Sequence, residues 1–389
     1  MREVYMDYSA AMPVDPRVVE AMMPYFTDSF GNPSSLHYLG REANDALTES
    51  RVKIAELVGS KPEEILFTSG GTESNNLAIK GVARRNKERG NHIITTDIEH
   101  ISVLNICKYL EKEGFEVTHI PVDSYGVVDV EKLEEAIRDT TILISVMYAN
   151  GEVGTIQPIE EIGEIADEKN IHFHVDAVPA AGQIPIDVVK EHIDLMSISS
   201  NDMYGPKGTG ALYVKKGVRI LPTVHGGGQE KGLRSGSEDI PNIVGMGKAA
   251  EIAKSEMKEE GKRLTKLRDK LINGILNNIE ESFLNGHPTK RLPNNASVRF
   301  RYIEGESLLL DLEMEGIAAS TGSACQSKTL LPSRVLTSMG ISHEETNGSL
   351  QFTLGRYNKD EDVDYVLEVL PNIVKRLRAM SPLIPKKEV

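Results

Sequence analysis

A chain of 389 residues is too long for one compact core and suits a large domain joined to a smaller one. Its formal net charge of -14 and isoelectric point near 5.3 argue against a nucleic-acid or membrane-surface footprint, since both need clustered Lys and Arg, and leave small molecules and proteins as the expected partners. With two cysteines, Cys107 and Cys325, there is no disulfide framework, and a four-cysteine metal site cannot form from this chain alone. No apolar run approaches bilayer length and Met1-Arg-Glu-Val opens without a signal-peptide core, so a cytoplasmic protein is expected.

In chain order, Ile65–Thr68, His92–Thr95, Val117–Ile120, Ile142–Met147, His172–Val175, Leu195–Ile198 and Ala211–Val214 read as strands separated by helical patterns. Most are apolar on both faces, which predicts an α/β fold with a mostly parallel seven-stranded sheet covered on both sides. Ligand sites then gather at the carboxyl ends of the strands. The run ending at Val214 is the candidate for an antiparallel member. A charged, periodic stretch from Ile243 to Glu280 reads as a long connecting helix. Beyond it come a strand at Ala296–Phe300, a helix from Gly305 to Met314, a strand at Leu350–Leu354 and a helix from Glu361 to Met380. The expected division is a large domain over 15–255 and a smaller α+β domain over 1–14 and 256–389.

Three constellations carry candidate chemistry. Thr68-Ser-Gly-Gly-Thr-Glu-Ser-Asn-Asn76 lies between a strand and a helical pattern, where small residues let backbone N–H groups and a helix N-terminus approach an anion. The same residues also suit an ordinary helix start capped by Thr72 or Ser74. Asp176, at the end of His174-Val-Asp-Ala177, suits either a helix cap or a carboxylate facing a protonated ring nitrogen. His100, in Asp97-Ile-Glu-His100, suits either a cap or a stack on a flat ring. Cys107, in an apolar helical stretch near Leu104 and Leu110, reads as a buried packing residue.

The order and spacing of Thr72, His100, Asp176 and the Ser199-Ser-Asn-Asp-Met-Tyr-Gly-Pro-Lys207 loop resemble the cysteine desulfurases of iron-sulfur cluster assembly. Phe30-Gly-Asn-Pro-Ser-Ser35, Gly226-Gly-Gly-Gln-Glu230, Arg234-Ser-Gly-Ser237, Ser320-Thr-Gly-Ser-Ala-Cys325 and Thr353-Leu-Gly-Arg356 extend the resemblance over essentially the whole chain. It implies a fold-type I architecture dependent on pyridoxal phosphate (PLP), assembled as a homodimer in which Ser237 reaches the phosphate bound by the other subunit. By the same resemblance Gly71, Thr72, Ser199 and the position of Asn201 hold phosphate, His100 stacks on the pyridine and Asp176 faces its nitrogen. Asn150 and Arg356 are implied to bind the substrate, L-cysteine, with Arg356 gripping its carboxylate. Cys325 is implied to be the loop thiolate that takes up sulfur as a persulfide, and its small polar surroundings suit a thiol that is exposed and travels.

Four positions depart from the family pattern, and all fall around one ligand. Asp202 stands where the family has the lysine that forms the imine to PLP, and a carboxylate cannot form one. Asn201 replaces a phosphate-holding histidine, Pro179 a glutamine on the phenolic oxygen, and Gly151 an asparagine. Lys207 is the nearest lysine, but the turn set by Gly205, Pro206 and Gly208 is expected to point it elsewhere. Asp202 retains the chemistry of a general base for PLP held noncovalently, without the route by which these enzymes exchange substrate for product. Two readings follow. In one the protein is an active desulfurase converting L-cysteine to L-alanine and a Cys325 persulfide. In the other its PLP chemistry is impaired, and Cys325 carries sulfur or ligates a nascent [2Fe-2S] cluster with three ligands from a scaffold partner.

Overall fold

The computed structural model describes residues 2–322 and 332–382. The strands are β1 (Val4–Tyr5), β2 (Ile65–Thr68), β3 (His92–Thr96), β4 (Glu116–Ile120), β5 (Thr141–Met147), β6 (His172–Asp176), β7 (Leu195–Ser199), β8 (Gly210–Val214), β9 (Ser282–Leu284), β10 (Asn295–Phe300), β11 (Ile317–Ala318) and β12 (Ser349–Thr353). The central sheet runs β2-β8-β7-β6-β5-β3-β4. Only β8 is antiparallel to its neighbours, as the sequence suggested for the run ending at Val214.

Alternation of side chains explains why this sheet is covered twice. On β2, Ile65 and Phe67 enter one core while Leu66 enters the other; on β8, Ala211 and Tyr213 oppose Leu212 and Val214 in the same way. One face packs on the helices Tyr38–Val58 and Ile240–Asn278, the other on Gly71–Arg85 and Ile101–Lys112. Cys107 is fully buried in the second layer, where burial pushes its thiol up to about 12. The result is an α/β fold with a mostly parallel seven-stranded sheet covered on both sides, as the sequence predicted.

The helix Ile240–Asn278 joins two cores. Its first half, from Ile240 to Ala253, packs into the large sheet core, and Leu264, Leu267, Leu271, Ile272 and Ile275 pack into a separate one. That second core also holds Val4 and Met6, the antiparallel sheet β12-β10-β9, and Val363, Val366, Leu370, Ile373 and Val374 of the helix Asp360–Met380. Apolar positions there recur at helical spacing and face inward. No helix among the described residues is long and apolar enough to cross a membrane.

Candidate functional site

Because β2, β3, β5, β6 and β7 run in the same direction, their carboxyl ends open on one side of the sheet, and their following loops line a cavity of about 520 Å³. Gly71, Thr72, His100, Asn150, Asp176, Ser199 and Asp202 all face it. Thus the structure brings most of the predicted site residues together.

After β2 the chain turns through Gly70, whose φ of +141° is a conformation that favours glycine, into the helix Gly71–Arg85. A Cβ on Gly71 would stand 2.5 Å from Cγ2 of Val178, so this helix start seats tightly on the loop after β6. No side chain caps it. Ser74 is occupied elsewhere: its Oγ donates to the Ala211 carbonyl at 3.1 Å and pairs with the Thr68 hydroxyl at 2.8 Å. An uncapped N-terminus of a four-turn helix, opening on a cavity, is an anion cradle.

Asp176 ends β6 and is followed by turns, not by a helix that it could cap. Its Oδ1 accepts from the Val178 N–H at 3.1 Å and its Oδ2 from Asn75 Nδ2 at 2.8 Å. The same Asn75 nitrogen donates to Ser102 Oγ at 3.0 Å, and Ser102 Oγ lies 2.7 Å from His100 Nδ1. Burial raises the Asp176 carboxyl above the usual range, while His100 and the Asn75 hydrogen bond hold it down. His100 is the cap of the helix Ile101–Lys112, its Nδ1 accepting from the Ser102 N–H at 3.2 Å, and it also lines the cavity.

Asp202 sits in a short 3-10 turn, Asn201–Met203, fixed by Gln183 Nε2 donating to its carbonyl at 3.0 Å. Burial pushes its carboxyl up to about 7; the side chains of Ser199 and Asn201 pull it down, and the charge of Asp176 adds to the rise. Asn201 does not itself line the cavity; its Oδ1 accepts from the N–H of Met12, which does, at 3.4 Å. Gly151 and Pro179, two other departures, face the cavity beside each other: a Cβ on Gly151 would lie 3.7 Å from Pro179 Cγ.

Other expected residues lie elsewhere. Arg356 is outside the cavity wall, paired with Asp15 and with Glu256 at 2.9 Å and stacked 4.7 Å from the centre of the Tyr204 ring. Lys207 donates to the Met12 carbonyl at 3.2 Å and does not line the cavity. Asn150 lines it, but its amide is held by the chain: Nδ2 donates to the Ile98 carbonyl at 3.0 Å and Oδ1 accepts from the Glu152 and Val153 N–H groups. Ser237 is exposed, on a loop tied to the cradle helix by Arg234 Nε donating to Glu73 at 3.0 Å. Cys325, expected both as persulfide carrier and as metal ligand, lies outside the described residues; Ser320 and Gly322, which precede it, line the cavity.

Sequence reading missed Glu99, Glu152, Arg334 and Gln351 in the wall. Glu99 Oε1 accepts from the Met147 N–H at 2.9 Å and Thr96 Oγ1 at 2.8 Å, while Oε2 is buried without a partner, and burial pushes the carboxyl up to about 8. Glu152, bonded by the Ser333 hydroxyl, is pushed by burial up to about 7. Arg334 donates to the carbonyls of Asp97 and Glu99, and Gln351 donates to that of Gly151. Glu99 adjoins His100 in a motif read for its histidine alone. Arg334 and Gln351 come from the far end of the chain and carry no local signal.

An aminotransferase class-V model matches residues 4–366 of the chain. Cysteine desulfurase IscS 1 of Archaeoglobus fulgidus is 60% identical over 379 residues, covering 97% of this chain and 99% of that protein. Cysteine desulfurase IscS of Methanosarcina thermophila is 58% identical over 386 residues, covering 99% and 95%. A solved NifS-like protein superposes with a TM-score of 0.91 at 42% identity, covering 97% of this chain and all 100% of its own. The chain belongs to the cysteine desulfurase IscS family within the class-V aminotransferases.

PLP is the cofactor of that class. The uncapped helix start, Asp176 and the cavity volume fit its phosphate and pyridine ring. The described lining residues do not fit its covalent anchoring. No lysine lines the cavity among the described residues.

Proposed function

We propose that this chain acts in iron-sulfur cluster biogenesis as a cysteine desulfurase-like homodimer in the cytoplasm, with its PLP catalysis impaired. Cys325 carries persulfide sulfur or ligates a nascent [2Fe-2S] cluster together with a scaffold protein. The observation that carries this reading is the Asp202 carboxyl facing a cavity that lacks lysine among its described lining residues. An amine is needed to hold the aldehyde covalently and to release product by exchange; a carboxylate supplies neither. When bound, PLP stabilises negative charge on a substrate carbon, and Asp176 is placed to favour the protonated ring that does so. In this reading Asp202 accepts a proton and His100 orients a ring. The start of the Ser320-to-Cys325 loop in the cavity wall supports delivery of sulfur between that cavity and the thiol.

A second reading, an active desulfurase, is favoured by the retained Asp176 and anion cradle. Alanine release decides between them. The purified protein, supplied with PLP, L-cysteine and a thiol reductant, is expected to release no more than about one alanine per chain; sustained multiple turnover would exclude impaired catalysis.

A further inference from the structure

We propose that the cavity is a noncovalent site for the amine form of the cofactor, pyridoxamine 5′-phosphate, with Asp202 accepting a hydrogen bond from its primary ammonium. This rests on the reading of the cavity as a pyridine-phosphate site and names the form that it takes.

An aldehyde presents only an acceptor oxygen at the carbon that a lysine would otherwise hold, and an ionised carboxylate is acceptor-only as well. Once Asp202 is ionised, above about pH 7, seating the aldehyde beside it therefore places two acceptors together with no hydrogen between them. A primary ammonium at the same carbon supplies three donors and a positive charge, and makes a charge-assisted hydrogen bond with the carboxylate.

The wall repeats this preference. Its described charged side chains include four carboxyls, Glu99, Glu152, Asp176 and Asp202, against one guanidinium, Arg334. Both Arg334 terminal nitrogens already donate to backbone carbonyls. The acceptor Asn75 Oδ1, on a residue only 1% exposed, has no partner and belongs to a residue that lines the cavity. Unmatched acceptors in a low-dielectric wall are costly and call for a ligand that brings donors. The uncapped start of the Gly71–Arg85 helix meanwhile supplies the donors that a phosphate needs. Carboxyls and an anion cradle in the wall of one cavity match a ligand that carries both an ammonium and a phosphate, as this one does on adjacent ring carbons.

The test is a calorimetric titration, above the pH near 7 at which Asp202 ionises, of ligand-stripped protein with pyridoxamine 5′-phosphate and, in parallel, pyridoxal 5′-phosphate. Borohydride reduction and mass spectrometry count any aldehyde taken up by surface lysines. Wild type is expected to bind the amine at least about tenfold more tightly than the aldehyde, the smallest effect of a hydrogen bond to a charged group. Asp202→Asn is expected to bring the two affinities to within about twofold of each other. Equal or tighter binding of the aldehyde by wild type, binding of neither form, or an unchanged preference in Asp202→Asn would each overturn the proposal. Because the wild-type comparison needs no variant, a misfolded variant leaves it decidable. Alanine assays on the same samples judge the proposed function separately.

Discussion

At Asp202 and Glu99 the protein keeps carboxyls where burial disfavours their charge. Glu99 remains protonated in the fold up to about pH 8, whereas an exposed glutamate ionises near about 4. Between those values the unfolded chain binds fewer protons than the folded one, so stability falls as pH rises through the window. Glu99→Gln, which keeps the acceptor for Met147 and Thr96, is expected to flatten that fall in urea midpoints. An unchanged slope would show Glu99 to be ionised in the fold. Asp202→Lys is expected not to restore multiple-turnover alanine release, because Gly151 and Pro179 still face the cavity. Recovery by this single change would show those departures to be tolerated. Asp202 was legible in the sequence because it interrupts a dense local motif. The pairing of Arg356 was not legible for the converse reason: a motif names a residue, but only packing shows that it meets Asp15 and Glu256.

The strand ends and the loops after them fix the site. Gly210 opens β8, and a Cβ there would lie 2.6 Å from both Gly70 Cα and the Ile198 carbonyl oxygen, so sheet and cradle loop touch backbone to backbone. Gly210→Ala is expected to cost about 1–3 kcal/mol in urea unfolding, as overpacking does; a neutral result would mean that the loop yields freely. On β6, His174 is fully buried between Ser145 of β5 at 2.9 Å and Ser197 of β7 at 3.1 Å, and burial holds it neutral down to about pH 3. The unfolded chain takes up that proton near about 6.5, so stability falls as pH drops below there. His174→Gln should remove this acid limb while leaving the alkaline one to Glu99; urea midpoints against pH separate the two. These strands were readable to within a residue or so because their apolar runs are short and bounded. The neutral histidine was not, since its state depends on hydroxyls from two neighbouring strands.

Two cores share the helix Ile240–Asn278, and ion pairs between distant segments brace them: Glu256 on that helix meets Arg17 at 2.6 Å and Arg356 at 2.9 Å. Arg356→Ala is expected to lower stability by about 1.5–3 kcal/mol without weakening ligand binding in the cavity. Loss of cysteine binding with stability intact would instead restore the substrate role suggested by sequence. The architecture was legible because alternation, spacing and motifs repeat along the chain. The wall's acidity was not, because Glu152, Arg334 and Gln351 meet only after the C-terminal segments fold back over the sheet. The most direct measurement is borohydride reduction of the protein saturated with PLP, followed by peptide mapping. No stoichiometric pyridoxyl adduct is expected on any single lysine; one lysine modified at about one equivalent per chain would contradict a cavity without a covalent anchor.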